Sequence, residues 1–564
     1  MKTLIATAFS ALTALLTASA AAAPAPVTFD WFEYTGRDTI SETPLKPGEH
    51  RNPILAGFYP DPSICRVGDD YYLVNSTFGY FPGIPIFHSR DLVNWKQLGH
   101  VIDRAAQLRY DRLGVTRGIF APALSHHGDT FYLVCTMIDA GGNFLVTAKN
   151  PAGPWSDPIF LGFDGIDPSL FFDDDGRAWM VNNGNPPGNK PLYSGHRAIW
   201  IQEFDIAARK MTGPRSIIVN GGVDLAQKPV WIEGPHLYKR DGWYYLCCAE
   251  GGTSDQHSQV ILRSKSPTGP FAPWDKNPIL TQRDLDSTAP HAITCTGHAD
   301  FVVGPDGNWW SVFLACRPFA GKYFTTGRET FLLPVRWTDD GWPVILPPGQ
   351  RVPHVFSAPK VANAIPQAPS DDAPLNGNFT WRDDFSTPAL SPLWIMLRAP
   401  KETWWSLTSP AGRLALTPRT ELLAGRANPS FLARRLQHAR FDATIALTVP
   451  AETGVSAGVA AFQNETHFYY FGVRRTAGGL DLFLECANGK SAEVLASAKL
   501  GDAAELQLRI TGEEKNLSFA YATAPGQWQT LVSDADTTPI TVQAAGGGIH
   551  FTGAVIGPHA RIDP

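Results

Sequence analysis

The chain has 564 residues, 44% of them hydrophobic, and a formal net charge of −6. This length exceeds that of a domain with one hydrophobic core, so we expect at least two globular domains. Lysine and arginine are scattered without a basic stripe or cluster, which argues against a nucleic-acid partner and against electrostatic membrane binding.

The first 23 residues have the pattern of a secretory signal peptide. Lys2 is followed by an apolar run from Leu4 to Leu16, and small residues follow at positions 18–23. No later run is long and apolar enough to span a bilayer. We therefore expect a soluble protein that is exported to the periplasm or the medium. Residues 24–49 are predicted to form an N-terminal extension before the first domain.

Five copies of one unit follow between residues 50 and 350. Each copy contains a short strand, a tight turn rich in Gly and Asp, and a second strand. The second strands begin at Tyr71, Phe131, Ala178, Tyr244 and Trp309, and the first strands begin 10 or 11 residues earlier. Repeats of this length, rich in short strands, predict a five-bladed β-propeller around a central channel.

A proline-rich stretch at residues 351–375 is predicted to be a linker. Residues 376–564 contain alternating strand-like segments such as "FDATIALTV" and "AELQLRITG". Their spacing predicts an antiparallel β-sandwich of the jelly-roll kind. The seven cysteines are odd in number and include no CxxC pair, which argues against a zinc site and against a disulfide framework, although a single disulfide is left open.

Acidic residues recur at one position of the propeller repeat. Asp61 in "YPDPSI" and Asp167 in "GIDPSL" occupy it in the first and third units, while Glu233 precedes the equivalent residue, Gly234, in the fourth. If these segments form the innermost strands, three carboxyl groups converge on the axial channel. Burying an unpaired carboxylate is costly, so such a cluster indicates a metal site, ion pairs or catalysis. The flanking prolines are expected to stiffen the backbone beside each aspartate.

Carboxyl groups that face one channel suit the hydrolysis of glycosidic bonds. One must protonate the leaving oxygen while another activates water or attacks the sugar. Glu233 has the most apolar neighbours and is the candidate acid, because burial and nearby negative charge keep a carboxyl group protonated. Asp61 is then the candidate base, and Asp167 orients and tunes the acid.

At these motifs the sequence resembles glycoside hydrolase family 43, the five-bladed xylosidases and arabinofuranosidases. The resemblance covers almost the whole mature chain, through "GFYPDPSICRVGDDYYLVNSTF", "GIDPSLFFDDDG", "WIEGPHLYK", "GHADFV" and "GRETFLLPVRW". It implies an inverting mechanism with Asp61 as general base, Asp167 as pKa modulator and Glu233 as general acid. The tail resembles the family's accessory concanavalin A-like β-sandwich, which packs on the propeller and can help to close the pocket.

The resemblance also implies a set of binding residues. Arg317 is expected to contact sugar in the innermost subsite, although a structural ion pair with Glu329 is the alternative, and Phe78 is expected to pack against the sugar. Phe120 stands where relatives usually carry Trp, so it keeps an aromatic platform but lacks the indole donor. Two histidines complete the set: His257 could approach substrate or cap a loop, and His298 near the axis could hold a calcium ion or a water. The chemistry itself is expected to need no cofactor.

The leading hypothesis is an exo-acting glycosidase that releases xylose from β-1,4-xylo-oligosaccharides, with α-L-arabinofuranosidase as the close alternative. A non-catalytic carbohydrate-binding propeller and a retaining fructosidase-like propeller are the other two interpretations. The oligomeric state is left open.

Overall fold

A computed structural model describes residues 24–361, 374–501, 503–544 and 551–564. The predicted signal peptide at 1–23 lies outside the described residues, as do positions 362–373 of the predicted linker. Nearly all regular structure in the described part is β. The helices found there are short 3₁₀ turns, and none is long and apolar enough to cross a membrane. They span Thr39–Ser41, Pro187–Asn189, Leu225–Gln227 and Thr538–Ile540.

Five antiparallel sheets form the blades of a propeller, as predicted. In each sheet the strand that contains or closely follows the repeat position is the innermost one, and it contacts its counterparts in neighbouring blades. The first blade contains Ser63–Val67, Asp70–Val74, Gly83–Ser89 and Lys96–Ile102. The second contains Ala123–His127, Thr130–Ile138, Gly142–Ala148 and Ile159–Phe160, with Gly118–Ile119 added. The third contains Ile166–Phe172, Ala178–Gly184, Ala198–Asp205 and Lys210–Asn220.

The last two blades follow the same plan. The fourth contains Glu233–Arg240, Trp243–Glu250, Ser258–Ser264 and Ala272–Pro273, with Leu280–Thr281 added. The fifth contains Thr294–Val303, Trp309–Cys316, Glu329–Trp337 and Pro343–Val344. A separate two-stranded ribbon pairs Glu49–Arg51 with Val355–Ser357, so the two ends of the propeller segment meet.

Hydrogen bonds join each innermost strand to the next and form a closed ring around the axis. The bonds run from Leu124 N to Ser63 Oγ (3.0 Å), Ser125 Oγ to Leu170 O (3.0 Å), Ser169 Oγ to Pro235 O (2.5 Å), Tyr238 OH to Asp300 Oδ1 (2.6 Å) and Ser63 Oγ to Asp300 Oδ2 (2.8 Å). Buried Asp300 thus connects the last blade to the first and to the fourth. The two serines of the "DPS" motifs, Ser63 and Ser169, therefore fasten blades together.

Replacing Asp300 by Ala should open this ring and destabilise the protein. The carboxylate accepts four hydrogen bonds, from Ser63 Oγ, Ile64 N, Tyr238 OH and Phe301 N. Phe301 N also donates to Tyr238 OH at 2.8 Å, but the other three donors would lose the acceptor they use here. We therefore expect the free energy of unfolding to fall by about 2–4 kcal/mol. Calorimetry measures this change, and Asp275→Ala, an exposed aspartate of the same domain, is the control. If both variants unfold at the same temperature as the unaltered protein, the ring of hydrogen bonds does not hold the propeller closed.

Two further sheets, each of eight strands, form the predicted sandwich. One sheet contains Trp405–Thr408, Ala411–Leu416, Val27–Arg37, Arg440–Thr448, Glu505–Glu513, Asn516–Ala522, Gln529–Asp536 and Phe379–Asp383. The other contains Glu493–Leu500, Gly479–Asn488, His467–Thr476, Val455–Asn464, Val555–Ile562, Leu432–Arg435, Ile395–Leu397 and Tyr80–Phe81. The all-β prediction of a five-bladed propeller followed by a β-sandwich is confirmed.

Two segments cross between the domains. Val27–Arg37, within the predicted N-terminal extension, is an interior strand of the first sandwich sheet and pairs with Arg440–Thr448. Tyr80–Phe81, from the first blade, pairs with Ile395–Leu397 at the edge of the second sheet. The sandwich is therefore built from residues on both sides of the propeller in sequence, and it is bonded directly to a propeller loop.

Candidate active site

A cavity of about 260 Å³ opens at one end of the propeller axis. Asp61, Asp167 and Glu233, each from a different blade, lie in its wall. His298 and Arg328 of the fifth blade and Arg117, which pairs with Asp139, also line it. The structure thus brings together the three carboxyl groups that the repeat predicted on the axis.

The backbone at the repeat position is left-handed in four blades. Asp61, Asp167, Gly234 and His298 have φ values of 51°, 53°, 54° and 54°. This conformation is rare for residues other than glycine and costs free energy, so it marks a position that the surrounding structure holds in place. Three of these four residues, Asp61, Asp167 and His298, line the cavity.

Gly234 explains why the fourth blade carries its acid one residue early. A Cβ atom at Gly234 would lie 2.8 Å from Nε2 of His298, closer than real side chains approach. The fourth blade therefore requires glycine at the repeat position, and the carboxyl group is supplied by the preceding residue, Glu233. The amide of Gly234 also donates to Asp167 Oδ2 at 3.2 Å.

Asp61 is held as a carboxylate. Arg328 Nη1 donates to Oδ1 at 2.7 Å, and the Ser76 hydroxyl donates to Oδ2 at 2.6 Å. Burial alone would raise the pKa of Asp61, but the charge of Arg328, with help from His298 and Ser76, outweighs it and holds the pKa below 3.8. An ionised carboxylate that is already positioned can accept a proton from water.

Glu233 has the opposite character. Burial, followed by the negative charge of Asp167, raises its pKa from 4.5 to about 8, although His298 and Arg328 oppose the shift. Glu233 therefore keeps its proton near neutral pH. One cavity thus holds an ionised and a protonated carboxyl group, the arrangement that acid–base cleavage requires.

His298 is a cation in this setting. Burial lowers its pKa, but its ion pair with Asp167 and the negative charge of Asp61 outweigh burial and raise the pKa to about 9. Its Nε2 lies 3.8 Å from Asp167 Oδ2, and its Nδ1 is buried without a hydrogen-bond partner. With Arg328, it balances the charges of Asp61 and Asp167 and leaves Glu233 neutral.

The surroundings of His298 do not fit a protein cage for calcium. Calcium takes six to eight oxygen ligands, whereas the imidazole offers nitrogen. Within the described ranges, no group of three or more His, Cys, Asp and Glu side chains could hold a metal ion.

Aromatic rings form the apolar wall of the cavity. Phe78 and Phe120, both expected from the sequence, contact each other with ring centroids 5.5 Å apart. Phe551 of the sandwich stacks on Phe78 at 5.7 Å and meets Phe120 edge-on at 5.4 Å. The guanidinium of Arg328 lies 5.2 Å from the Phe551 ring. The sandwich therefore supplies part of the cavity wall, and sequence analysis did not identify this residue.

The predicted role of Arg317 is corrected by the structure. Arg317 does not line the cavity; its Nε and Nη2 donate to Glu329 at 2.6 and 2.8 Å, and it also pairs with Asp38. Its Nη2 donates to the backbone oxygen of Gln437 in the sandwich at 3.1 Å. The ion pair with Glu329 is the one that the alternative interpretation proposed, and the bond to Gln437 in addition joins the two domains. The arginine that binds Asp61 in the cavity is Arg328.

His257 is also placed behind the cavity wall. The side chain is fully buried, and its Nδ1 lies 2.9 Å from the backbone oxygen of Cys295. Burial lowers its pKa to about 3, so it is neutral. His257 therefore contacts the backbone of the fifth blade and does not form part of the cavity surface.

Comparison with known proteins matches these observations. Residues 50–343 match the glycosyl hydrolases family 43, and residues 382–561 match the beta xylosidase C-terminal concanavalin A-like domain. A xylosidase/arabinosidase of Butyrivibrio fibrisolvens is 40% identical over 90% of this chain and 95% of its own length. A non-reducing end alpha-L-arabinofuranosidase of Bacteroides ovatus is 36% identical over 90% and 91%.

Solved structures agree with this match. The crystal structure of a GH43_12 protein retrieved from a capybara gut metagenome aligns with a TM-score of 0.88 at 40% identity, covering 95% of this chain and 100% of that one. The xylan beta-1,4-xylosidase of Bacillus halodurans aligns with a TM-score of 0.81 at 34% identity, covering 91% and 97%. The match extends over both domains, and the chain belongs to glycosyl hydrolase family 43.

Proposed function

We propose that the protein is an exo-acting, inverting glycoside hydrolase that releases xylose from the non-reducing ends of β-1,4-xylo-oligosaccharides. The observation that carries this proposal is the pairing of ionised Asp61 with protonated Glu233 in one cavity. The names of the family relatives support a pentose as the sugar released.

In the proposed reaction, Glu233 donates its proton to the glycosidic oxygen as the bond to the anomeric carbon breaks. Asp61 accepts a proton from a water that attacks the same carbon from the opposite face. Asp167 raises the pKa of Glu233 through its charge and is held by the Gly234 amide and His298. Each catalytic carboxyl group begins the cycle in the protonation state that its step needs.

The wall of Phe78, Phe120 and Phe551 supports exo action. These rings enclose the apolar side of the cavity beside Asp61 and Arg328, so the terminal sugar of a bound oligosaccharide meets a barrier. A terminal sugar fits such a pocket, whereas an internal sugar needs an open cleft.

Proton NMR of the first product tests the mechanism. An inverting enzyme acting on a β-xyloside releases α-xylose first, because water enters opposite the leaving group. Initial release of β-xylose would show retention and would rule out Asp61 as the base for water.

α-L-Arabinofuranosidase is the second candidate, and it is favoured by the relative from Bacteroides ovatus named for that activity. Hydrolysis of an aryl β-xyloside and an aryl α-L-arabinofuranoside by the same preparation distinguishes the two candidates. The proposed activity requires the higher kcat/KM for the xyloside.

The pH profile of kcat/KM should have a plateau between the pKa values of the two catalytic groups. Activity requires deprotonated Asp61, whose pKa lies below 3.8, and protonated Glu233, whose pKa is about 8. Above pH 8, kcat/KM should fall by about tenfold for each pH unit. Returning samples from pH 9 to pH 7 before assay is the control for irreversible loss. A basic limb near pH 4.5, the ordinary glutamate value, would contradict this assignment.

We further propose that residues 1–23 direct export and that the enzyme acts on fragments of xylan outside the cytoplasm. The proposal is supported by the charged, apolar and small-residue segments of the leader. Fractionation of cells that produce the full chain tests it, and retention of the activity in the cytoplasm would refute it.

A further inference from the structure

Trp231 differs from the other aromatic residues of the cavity by its exposure. It lines the cavity two residues before Glu233, and 37% of its surface is exposed, compared with 1% for Phe78. A large exposed indole at the wall of a binding cavity has a surface available to a ligand.

The backbone holds Trp231 in this position. Its φ of 53° is left-handed, a conformation that a bulky residue adopts only when the surroundings impose it. Its amide donates to the backbone oxygen of Gly195 at 2.8 Å, and the oxygen of Val230 accepts from Gly251 N at 2.8 Å. The next residue, Ile232, is fully buried. The ring is therefore presented by a fixed segment.

The supporting loop, residues 185–197 between two strands of the third blade, contacts the Trp231 ring. The guanidinium of Arg197 lies 4.8 Å from the centre of the Trp231 ring. Arg197 is itself held by Asn183, whose Oδ1 accepts from Nε at 3.0 Å and from Nη2 at 2.8 Å. Gly195, with φ of 81°, allows the loop to approach, because a Cβ there would lie 2.8 Å from Val230 and 3.4 Å from Trp231. The indole is thus pre-organised before substrate binds.

The chemistry of Glu233 identifies the occupant of this surface. A general acid must lie beside the glycosidic oxygen, so the leaving group extends from Glu233 away from the inner wall. Trp231 lines the same cavity and lies two residues before Glu233 in the chain. The rings of Phe78, Phe120 and Phe551, the inner wall, instead contact one another beside Arg328, the partner of Asp61. The C–H faces of a pyranose are apolar and flat enough to pack on an indole, while its hydroxyl groups stay in water.

We propose that Trp231, supported by Arg197, is the platform for the leaving-group sugar and sets the preference for oligosaccharides over small glycosides. This inference rests on the proposed glycosidase function. Contact between the indole and the leaving sugar stabilises the transition state in which that sugar is protonated. It therefore raises kcat/KM only for substrates that carry a second sugar ring.

The test compares two substrates with the full-length enzyme. Xylobiose has a sugar as leaving group, whereas β-D-xylopyranosyl fluoride has a leaving group too small to reach Trp231. We expect W231A to lower kcat/KM for xylobiose by about tenfold or more, the effect of losing one aromatic anchor, and to leave hydrolysis of the fluoride unchanged. W231F should restore part of the loss. L192A, at a 69% exposed residue of the supporting loop outside the cavity lining, should hydrolyse both substrates normally.

The outcomes separate the two proposals. If W231A loses activity on both substrates in parallel, or on neither, Trp231 is not a leaving-group platform although the enzyme is a xylosidase. If the unaltered enzyme releases xylose from neither substrate, the proposed function fails and the platform fails with it. Continued hydrolysis of the fluoride by W231A shows that the variant is folded.

Discussion

Replacing Glu233 by Gln should reduce hydrolysis of xylobiose by about 10³-fold or more, since the leaving sugar would depart without a proton. The loss should depend on the leaving group. β-D-Xylopyranosyl fluoride, whose leaving group needs little protonation, should react at a rate much closer to that of the unaltered enzyme. The basic limb of the pH profile near pH 8 should also disappear, because Gln does not titrate. Steady-state kinetics with both substrates measures the change.

Glu250 provides a matched control. It lies on the neighbouring strand of the same blade, burial raises its pKa as well, and it does not line the cavity. Glu250→Gln should therefore retain activity within a few-fold. An equal loss for both substrates in Glu233→Gln, or an unaltered basic limb, would assign the acid elsewhere.

Replacing Asp61 by Asn should abolish activity regardless of the leaving group. The variant cannot accept a proton from the attacking water, so we expect a loss of about 10⁴-fold on xylobiose and on the fluoride alike. An equal loss on both substrates distinguishes the base from the acid, because a good leaving group compensates only for loss of the acid. Single-substrate rates at pH 6, inside the expected plateau, measure it.

Asp173 is the control for this variant. Its 6% exposure is close to the 5% of Asp61, and it also pairs with a cation, Lys239 at 2.6 Å, but it lies outside the cavity lining. Asp173→Asn should keep most of the activity per folded molecule. Substantial hydrolysis by Asp61→Asn at the same protein concentration would refute the assignment of the base.

The positions of the three carboxyl groups could be predicted because they belong to a repeat. Asp61 and Asp167 occupy equivalent places in units with the same strand pattern, and a propeller directs equivalent places to one axis. Their protonation states depend on neighbours from other blades. Arg328 beside Asp61, from the fifth blade, is such a neighbour, and the repeat pattern alone does not place it.

The choice between Arg317 and Arg328 shows where sequence reasoning fails. The strands Trp309–Cys316 and Glu329–Trp337 are antiparallel, with Ala315 opposite Glu329, so both arginines lie at the same edge of the fifth blade. Which one faces the cavity depends on side-chain direction and on competing acceptors. Asp38 and Glu329 bind Arg317, and Arg328 is then the one that reaches Asp61.

The sequence also did not predict which distant segments contribute to each domain. The alternation in "VTFDWFEYTGR" suits a strand, but nothing local indicates that its partners lie in the sandwich, beyond the propeller. Phe551 likewise lies at the cavity in a segment that is bonded to the fifth blade, through the Ala554 amide and Thr325 O at 2.7 Å. Such contacts depend on how two domains pack.

The glycine at position 234 has a consequence for how a propeller becomes an enzyme. Five like units around an axis tend toward rotational symmetry, and symmetry would place the same group, with the same proton affinity, at each inward position. Hydrolysis requires two unlike groups at different depths and angles. By excluding a side chain beside His298, Gly234 moves the fourth blade's carboxyl group out of the symmetric set. A designed propeller would likewise have to depart from its symmetry, in the position of one carboxyl group or in its charged neighbours, before matching carboxyl groups could act as an acid and a base.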